Sequence, residues 1–313
     1  MAQQVYSVNT LGGYLSVPIL SKEIRKAATP LYRFRQFVQV KEAWGKNKGE
    51  TVLFDKVRTI SAASRGGQLT ETSTVPRTNI TIGQGTLTIA EYGNAIAYTA
   101  KLSTLGQLPI TDAIRWALQE DMKDTLDRAA ADQFMDSKVI YTCLTSTSGT
   151  LTTNGMAGGT ATSNLNAYHV KQIVDWMVTH KIPRYDGENY IAICSRYMIR
   201  GLFDDSGWSD WMKYTTPEKA FSGEIGRFYG VRFIEDNNVL SNAVGASSAY
   251  GEAVFFGRDA VMEAVASMEE IRADTPKDFG RDLALGWFWT GGFKKMFDYS
   301  SDGEERIVYV TSA

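Results

Sequence analysis

Residues 51–60 read Thr-Val-Leu-Phe-Asp-Lys-Val-Arg-Thr-Ile, and this run of β-branched and apolar residues predicts a strand. A return strand is predicted from Thr78, where Ile80 and Ile82 alternate with polar residues. The polar segment 61–77 between the two strands is too long for a tight turn. Because a two-stranded ribbon is marginally stable alone in water, we expect another surface to cover this hairpin.

Two glycines interrupt the return strand of the hairpin. Gly83 and Gly85 break the alternation, which Leu87 and Ile89 then resume. Glycines inside a strand pattern indicate a bulge or a bend. We therefore expect the return strand to be irregular at these two positions.

The clearest helix is predicted over residues 110–141, after Pro109 and with Thr111 or Asp112 as its cap. At 1.5 Å per residue it would be roughly 45 Å long, which suits a spine. Its apolar residues recur mostly every three or four positions: Ile114, Leu118, Met122, Leu126, Ala129 and Phe134. Its charged residues are predicted to lie on the other side: Asp121, Lys123, Asp124, Asp127 and Arg128.

The flanking segments are of three kinds. Residues 1–45 predict an arm, whose charged and aromatic part from Arg33 to Lys41 has little core of its own. The Ser, Thr, Gly and Asn residues of 142–164 predict a linker at a domain boundary. A second α/β module follows, and aromatic strands end the chain. The predicted elements after the linker are helices at 165–180 and 196–203 and strands at 190–194, 231–234, 253–256, 283–293 and 306–311.

Composition and charge exclude several classes of protein. Hydrophobic residues make up 43% of the 313 residues and charged residues 22%, which excludes wholesale disorder. Residues 1–60 hold ten Lys and Arg against four Asp and Glu, while the remainder is acidic and the total charge is -2. The chain as a whole is therefore not a basic nucleic-acid binder.

The cysteines and the apolar runs exclude further classes. Cys143 and Cys194 lie in apolar stretches, which predicts two buried, reduced thiols rather than a disulfide framework. The N-terminal segment 1–20 has no basic region and no long apolar run, so we predict no signal peptide. No window of about 18 apolar residues exists, and no membrane is expected as a partner.

No pattern typical of an enzyme is present. His169 and His180 have no Cys, Asp or Glu beside them at a metal-ligand spacing, so both are interpreted as surface or core residues. The chain lacks a Walker loop and a Gly-x-Ser-x-Gly nucleophile elbow. We therefore predict no catalytic, cofactor-binding or metal-binding residues and no cofactor. The unusual features are architectural, and extended pieces of this kind point to a symmetric assembly.

Four motifs follow one another along nearly the whole chain. They are Gln68-Leu69-Thr70-Glu71 before Pro76, Glu91-Tyr92-Gly93-Asn94 before Tyr98-Thr99, Gly-Glu-Ile-Gly-Arg-Phe-Tyr-Gly-Val-Arg-Phe-Ile-Glu at 223–235, and Val-Phe-Phe-Gly-Arg-Asp-Ala at 254–260. Within the third, Glu224 and Arg227 are spaced to pair on a helical turn. This order of motifs and elements resembles the major capsid proteins of tailed phages with the Hong Kong 97-type fold, in particular the N-four-type family.

The resemblance implies an α+β subunit with five parts. They are an N-terminal arm (1–45), an extended β-hairpin loop (46–90), a peripheral domain (91–150) with a long spine helix at 110–141, an axial domain (151–250), and return strands that complete the peripheral domain (251–313). In such shells the extended loop lies across a neighbouring subunit. We accordingly predict inter-subunit contacts at charged and apolar residues of the arm and loop: Arg33, Arg35, Lys46, Lys48, Arg65, Leu69, Glu71 and Arg77.

The resemblance also implies the partners and the location. The chain would assemble with itself into pentamers and hexamers of an icosahedral shell, in the host bacterial cytoplasm, and would remain in the virion capsid. A portal and separate scaffolding or decoration proteins are expected, and packaged double-stranded DNA would be held without sequence-specific binding. Two alternatives are an encapsulin-like nanocompartment subunit and an enzyme with an unrecognised site in the 165–250 module.

Overall fold

The computed structural model describes residues 32–42, 49–57, 66–72, 74–75, 77–80, 82–105, 110–205, 224–240, 251–275 and 278–313. In these ranges the α-helices are α1 (Ala100–Leu105), α2 (Ile110–Met135), α3 (Ala167–Thr179), α4 (Arg196–Phe203) and α5 (Tyr299–Asp302). The strands are β1 (Gln39–Glu42), β2 (Thr51–Val57), β3 (Ile82–Thr88), β4 (Ala90–Thr99), β5 (Ile140–Thr145), β6 (Ser148–Thr152), β7 (Tyr190–Ser195), β8 (Glu224–Phe228), β9 (Val231–Asp236), β10 (Gly251–Phe256), β11 (Val261–Ala273), β12 (Asp282–Lys295) and β13 (Ile307–Ser312).

The described strands form three sheets. A seven-stranded sheet has the order β6-β5-β13-β10-β7-β9-β8 and is mixed, because β7 pairs in parallel with β9 and β13 in parallel with β5. A four-stranded sheet has the order β1-β11-β12-β4, and β2 and β3 form a separate antiparallel ribbon. The chain is therefore α+β, as its sequence predicts.

The seven-stranded sheet is buried on both faces. In β7, Tyr190, Ala192 and Cys194 point into a core with α3 and α4. The alternate residues Ile191 and Ile193 enter a second core with α2. A strand that is covered on both sides reads as a continuous apolar run, and this is why residues 190–194 are recognisable as a buried strand in the sequence.

The spine helix is confirmed, but it is shorter than predicted. It ends at Met135 rather than at residue 141, because residues 140–145 extend into β5 and pair with β13. Its 26 residues span roughly 39 Å. Ile114, Leu118 and Phe134 are buried as the spacing predicts.

Asp127 lies on the buried side of α2, so its predicted place in solvent is wrong. Its side chain is 1% exposed, and its two carboxylate oxygens accept the backbone N–H groups of Arg33 and Arg35 at 3.3 and 3.0 Å. The arm segment thus supplies the hydrogen bonds that a buried carboxylate requires. Burial raises the pKa of Asp127 to about 6, against the lowering effect of these backbone donors.

The arm segment also has more core than its sequence indicates. Phe34 is fully buried, and its ring lies 5.6 Å from that of Phe134. The segment continues into β1, which pairs in parallel with β11. The apolar ring and the edge of an available sheet together explain why a charged segment is held against the body.

Residues 142–164 do not form the predicted linker. They contribute most of the β5–β6 hairpin at one end of the seven-stranded sheet. The loop that follows is attached by the backbone N–H groups of Thr162 and Ser163, which donate to the carbonyl of Cys143. Thr is common in strands, so a Thr-rich segment can be a strand as easily as a loop.

The predicted return strands divide between the two larger sheets. β11 pairs with β12, and β12 pairs with β4, in the four-stranded sheet. β10 and β13 instead lie in the centre of the seven-stranded sheet. The reason is that both faces of this sheet are buried, so its central positions require the apolar runs that β10 and β13 provide.

One local prediction is wrong and another is confirmed. Glu224 and Arg227 belong to the strand β8, not to a helical turn. The following Tyr229 and Gly230 have φ values of 49° and 76°, typical of the tight turn that joins two twisted strands. Cys143 and Cys194 are buried free thiols, as predicted. Among the described helices, none combines the length and the apolar character that crossing a bilayer requires.

The β2–β3 ribbon lies on the four-stranded sheet. Val52, Phe54 and Leu87 form a small core with Met262 and Ala264. The expected bulge is absent: the pairing from Thr51–Thr88 to Val57–Ile82 runs without a register shift. Gly85 serves packing instead, because a Cβ atom there would lie 2.3 Å from the ring of Phe54.

Replacement of Asp127 by Asn tests the buried carboxylate. Because the folded protein favours its protonated form, this group contributes stability below about pH 4 that is lost as the pH rises through about 6. Relative to Asp127→Asn, the wild type should lose about 2–3 kcal/mol of unfolding free energy between pH 4 and pH 7. Denaturant unfolding across this range measures the difference, and a constant difference would contradict the assignment.

Replacement of Gly292 by Ala tests the contact between ribbon and sheet. A Cβ atom there would lie 2.4 Å from the carbonyl oxygen of Thr88 in β3. Since backbone must move, we expect a loss of about 1–3 kcal/mol in unfolding free energy. Gly67→Ala is the control, because a Cβ atom at Gly67 meets nothing within 4 Å. Equal stabilities of the two variants would count against this close approach.

Candidate assembly interface

The uncovered side of the β2–β3 ribbon carries exposed apolar residues. Leu53, Val57 and Ile82 are 55%, 66% and 62% exposed, and Val57 lies directly opposite Ile82 in the ladder. Ile80, just before β3, is also exposed. We call these four residues the outer face. Side chains that are opposite each other in a ladder are in contact, so Val57 and Ile82 form a continuous apolar surface.

The loop beyond the ribbon continues this exposed surface. Of the predicted contact residues, Leu69, Glu71 and Arg77 lie here and are exposed. Val75 is exposed as well. Lys46, Lys48 and Arg65 lie outside the described residues. The three described residues are therefore accessible to a partner, and their role as contacts stays a prediction.

The two predicted contact residues of the arm face their own subunit. The guanidinium of Arg35 donates to Glu263 and to Glu269, each at 2.7 Å. Glu263 is fully buried, so this ion pair neutralises a charge inside the four-stranded sheet. Arg33 donates its backbone N–H to Asp127. That either residue also contacts a neighbouring subunit stays a prediction.

The module proposed for an alternative enzymatic site holds an open depression beside α3. Its volume is about 510 Å³, and it is lined by Val174, Asp175, Val178, Thr179, Arg184, Tyr229 and Gly230. The hydroxyl of Thr179 donates to the backbone carbonyl of Asp175, and that of Tyr229 to the Asp175 carboxylate. The two hydroxyls of the depression are therefore both engaged with Asp175.

The two histidines lie elsewhere. His169 is fully buried, its Nδ1 is 2.9 Å from the hydroxyl of Tyr141, and burial lowers its pKa. His180 is stacked on Trp176 with ring centres 4.1 Å apart. Within the described ranges, no three His, Cys, Asp or Glu side chains come together in a way that could hold a metal ion.

Several residues that attach the arm and the ribbon to the body were not identified from the sequence. Glu263 interrupts the apolar run of β11, and a lone charge in such a run is a usable signal. Lys56 and Asp302, which connect the ribbon to the body, are 246 positions apart and belong to no motif. No local pattern could have paired them.

The chain was compared with known proteins by sequence and by structure. No family model matches it, and no curated protein is similar to it in sequence. Among solved structures, it is similar to the head of Helicobacter pylori bacteriophage KHP40, with a TM-score of 0.71, 12% identity and 97% of each chain covered. It is also similar to the capsid of cyanophage Pam1, with a TM-score of 0.68, 14% identity and 97% and 98% of the two chains covered.

A third similar structure is the capsid of Ralstonia phage GP4. The TM-score is 0.66 at 14% identity, and the match covers 98% of this chain and 97% of the other. Identities this low establish the fold alone, and the narrower likeness to the N-four-type family stays a prediction. The coverage, however, leaves almost no part of either chain unmatched: the chain has the Hong Kong 97-type capsid fold.

Proposed function

We propose that this chain is the major capsid protein of a tailed bacteriophage and assembles with copies of itself into a closed icosahedral shell around double-stranded DNA. The observation that carries the proposal is the near-complete coverage of both chains in the matches to phage capsids, so that extended parts as well as compact ones correspond. The role is structural rather than enzymatic.

The outer face supplies a physical reason for assembly. Val57 and Ile82 are apolar, exposed and on the side of the ribbon that its own subunit does not cover. An exposed apolar surface of this kind marks a binding site. A second copy of the chain is the partner that we propose, with the ribbon lying across it as the extended loop of the shell.

The regional assignment follows from the pairing of the strands. We propose that residues 1–45 are the arm, that the ribbon lies within an extended loop at 46–90, and that α2 with the four-stranded sheet forms the peripheral domain. The seven-stranded sheet would form the axial domain, which then includes β5, β6, β10 and β13 in addition to the strands of 151–250.

The remaining partners are part of the same proposal. A portal, scaffolding or decoration proteins and packaged DNA would meet a subunit of net charge -2. A charge of this sign does not favour binding to phosphates, so DNA would be held by confinement. Assembly would take place in the bacterial cytoplasm, and the product would be the virion capsid.

Electron microscopy of the purified protein at increasing concentration tests the function. We expect closed shells of uniform diameter, with nuclease-protected double-stranded DNA in particles from infected cells. A protein that remains monomeric at every concentration and in infected cells would contradict the proposal. Shells that contain a single cargo protein in place of DNA would support the encapsulin-like alternative.

Replacement of Val57 by Asp tests the outer face. Val57 is solvent-exposed, so the subunit should stay folded within about 0.5 kcal/mol. A charge in an apolar contact is costly, and the yield of shells measured by sedimentation should fall severalfold. Val178→Asp is the matched control, since Val178 is an exposed valine on α3. Unchanged yields from Val57→Asp would exclude the outer face as a contact.

A further inference from the structure

Lys56 occupies an unusual place on the ribbon. It is the last inward-facing residue of β2, and it is only 8% exposed. Its Nζ lies 2.8 Å from Oδ2 of Asp302, which is also buried. Two aromatic rings, those of Phe54 and Phe297, lie 5.5 and 5.8 Å from the ammonium. Among the described residues, the inward-facing ammonium of Lys56 is thus paired with Asp302 and lies beside two aromatic rings.

Asp302 binds one strand of the ribbon and lies near the other. Lys56 pairs with Gly83 in the ladder. Oδ1 of Asp302 lies 3.7 Å from the position that a Cβ atom of Gly83 would occupy. The carboxylate therefore lies close to β3, at ordinary van der Waals distance from that position, while it binds Lys56 on β2.

The carboxylate of Asp302 is itself held in place. Its Oδ2 accepts the backbone N–H of Asp298 at 3.0 Å, across the short helix α5. Asp298 in turn lies 3.3 Å from the buried ammonium of Lys295, which also faces the fully buried Glu305. The partner of Lys56 is therefore fixed by the backbone and by a network of charges rather than by a mobile side chain.

We propose that the Lys56–Asp302 ion pair sets the angle at which the β2–β3 ribbon leaves the subunit. The apolar contacts of Phe54 and Leu87 hold the ribbon against the sheet, but dispersion and hydrophobic contacts are not directional. A buried ion pair has a defined geometry and contributes little net stability, because desolvation offsets most of its attraction. Lys56 and Asp302 are thus positioning residues.

The consequence for assembly rests on the proposed function. If the ribbon lies across a neighbouring subunit, an error in its angle is multiplied along its length. The two ends of the ribbon, at Thr51 and Val57, are separated by about 20 Å of strand. A small rotation about the Thr51 end, where the ribbon joins the body, then moves the loop that follows Val57 out of reach of the neighbour.

The experiment measures the ribbon angle in the unassembled subunit. Spin labels are placed at Gln84→Cys, exposed on β3, and at Val178→Cys, exposed on the body. The two native thiols are buried and do not compete for the label. The distance between the labels is compared for the wild type, the double variant Lys56→Met/Asp302→Asn, and the control Arg281→Met, which breaks an exposed ion pair with Asp278.

We expect the distance distribution to broaden about twofold or more in the double variant and to stay unchanged in the control. The thermal midpoint of the double variant should stay close to that of the wild type, because the variant removes both charges together. If the double variant loses stability while the distribution of distances between the labels is unchanged, the ion pair only stabilises the fold, and the proposal is overturned. Single Lys56→Met should destabilise the fold more than the double variant, since it leaves Asp302 buried without its cation.

Shell assembly supplies the second measurement. The double variant should give fewer closed shells than the control, and a normal yield from a subunit with a broadened distribution would overturn the link to assembly. If the wild type forms no shells, the proposed function fails while the effect on the ribbon angle can still be measured. The two failures are therefore distinguishable.

Discussion

The two strands of the projecting ribbon give it two faces, and the subunit covers only one of them. Phe54 and Leu87 point inward onto the four-stranded sheet, while Val57 and Ile82 point outward. A shift of the pairing by one residue would exchange the two sets, so the ribbon cannot bury both faces by itself. The remaining apolar surface is available to the second copy of the chain that we propose as its partner.

The arm segment and the ribbon are attached to the body by buried charges as well as by apolar contacts. Arg35 binds Glu263 where the arm meets the four-stranded sheet, backbone amides of the arm bind Asp127, and Lys56 binds Asp302 near the loop end of the ribbon. Each pairing has a direction, whereas the apolar contacts around it do not. Since buried ion pairs add little net stability, we infer that these pairings specify where the arm and the ribbon lie, and that the two large cores supply the stability.

The sequence predicts local structure well and long-range pairing poorly. The spacing of Leu118 and Phe134 identifies α2, and the apolar run from residue 190 identifies β7, because both patterns report burial directly. Asp127 follows Leu126 on the same helix, and a charge at the edge of an apolar stripe looks the same whether or not a distant amide binds it. The placement of β10 and β13 in the seven-stranded sheet, and the pairing of Lys56 with Asp302, depend on residues far away in the chain. The sequence led to the exposed loop residues Leu69 and Glu71 as candidates, whereas it did not lead to the Lys56–Asp302 pair.

Direction matters more than affinity for a subunit that forms a closed shell. A repeated assembly makes each contact effectively intramolecular once its neighbours are in place, so individual contacts can be weak. A closed shell also demands that every copy present the same surface in the same orientation. An apolar outer face such as Val57 and Ile82 tolerates sliding and would accept many arrangements by itself. The Lys56–Asp302 pair, with its fixed geometry near the loop end of the ribbon, restricts those arrangements, so the proposed assembly needs both a non-specific apolar contact and a directional attachment within the subunit.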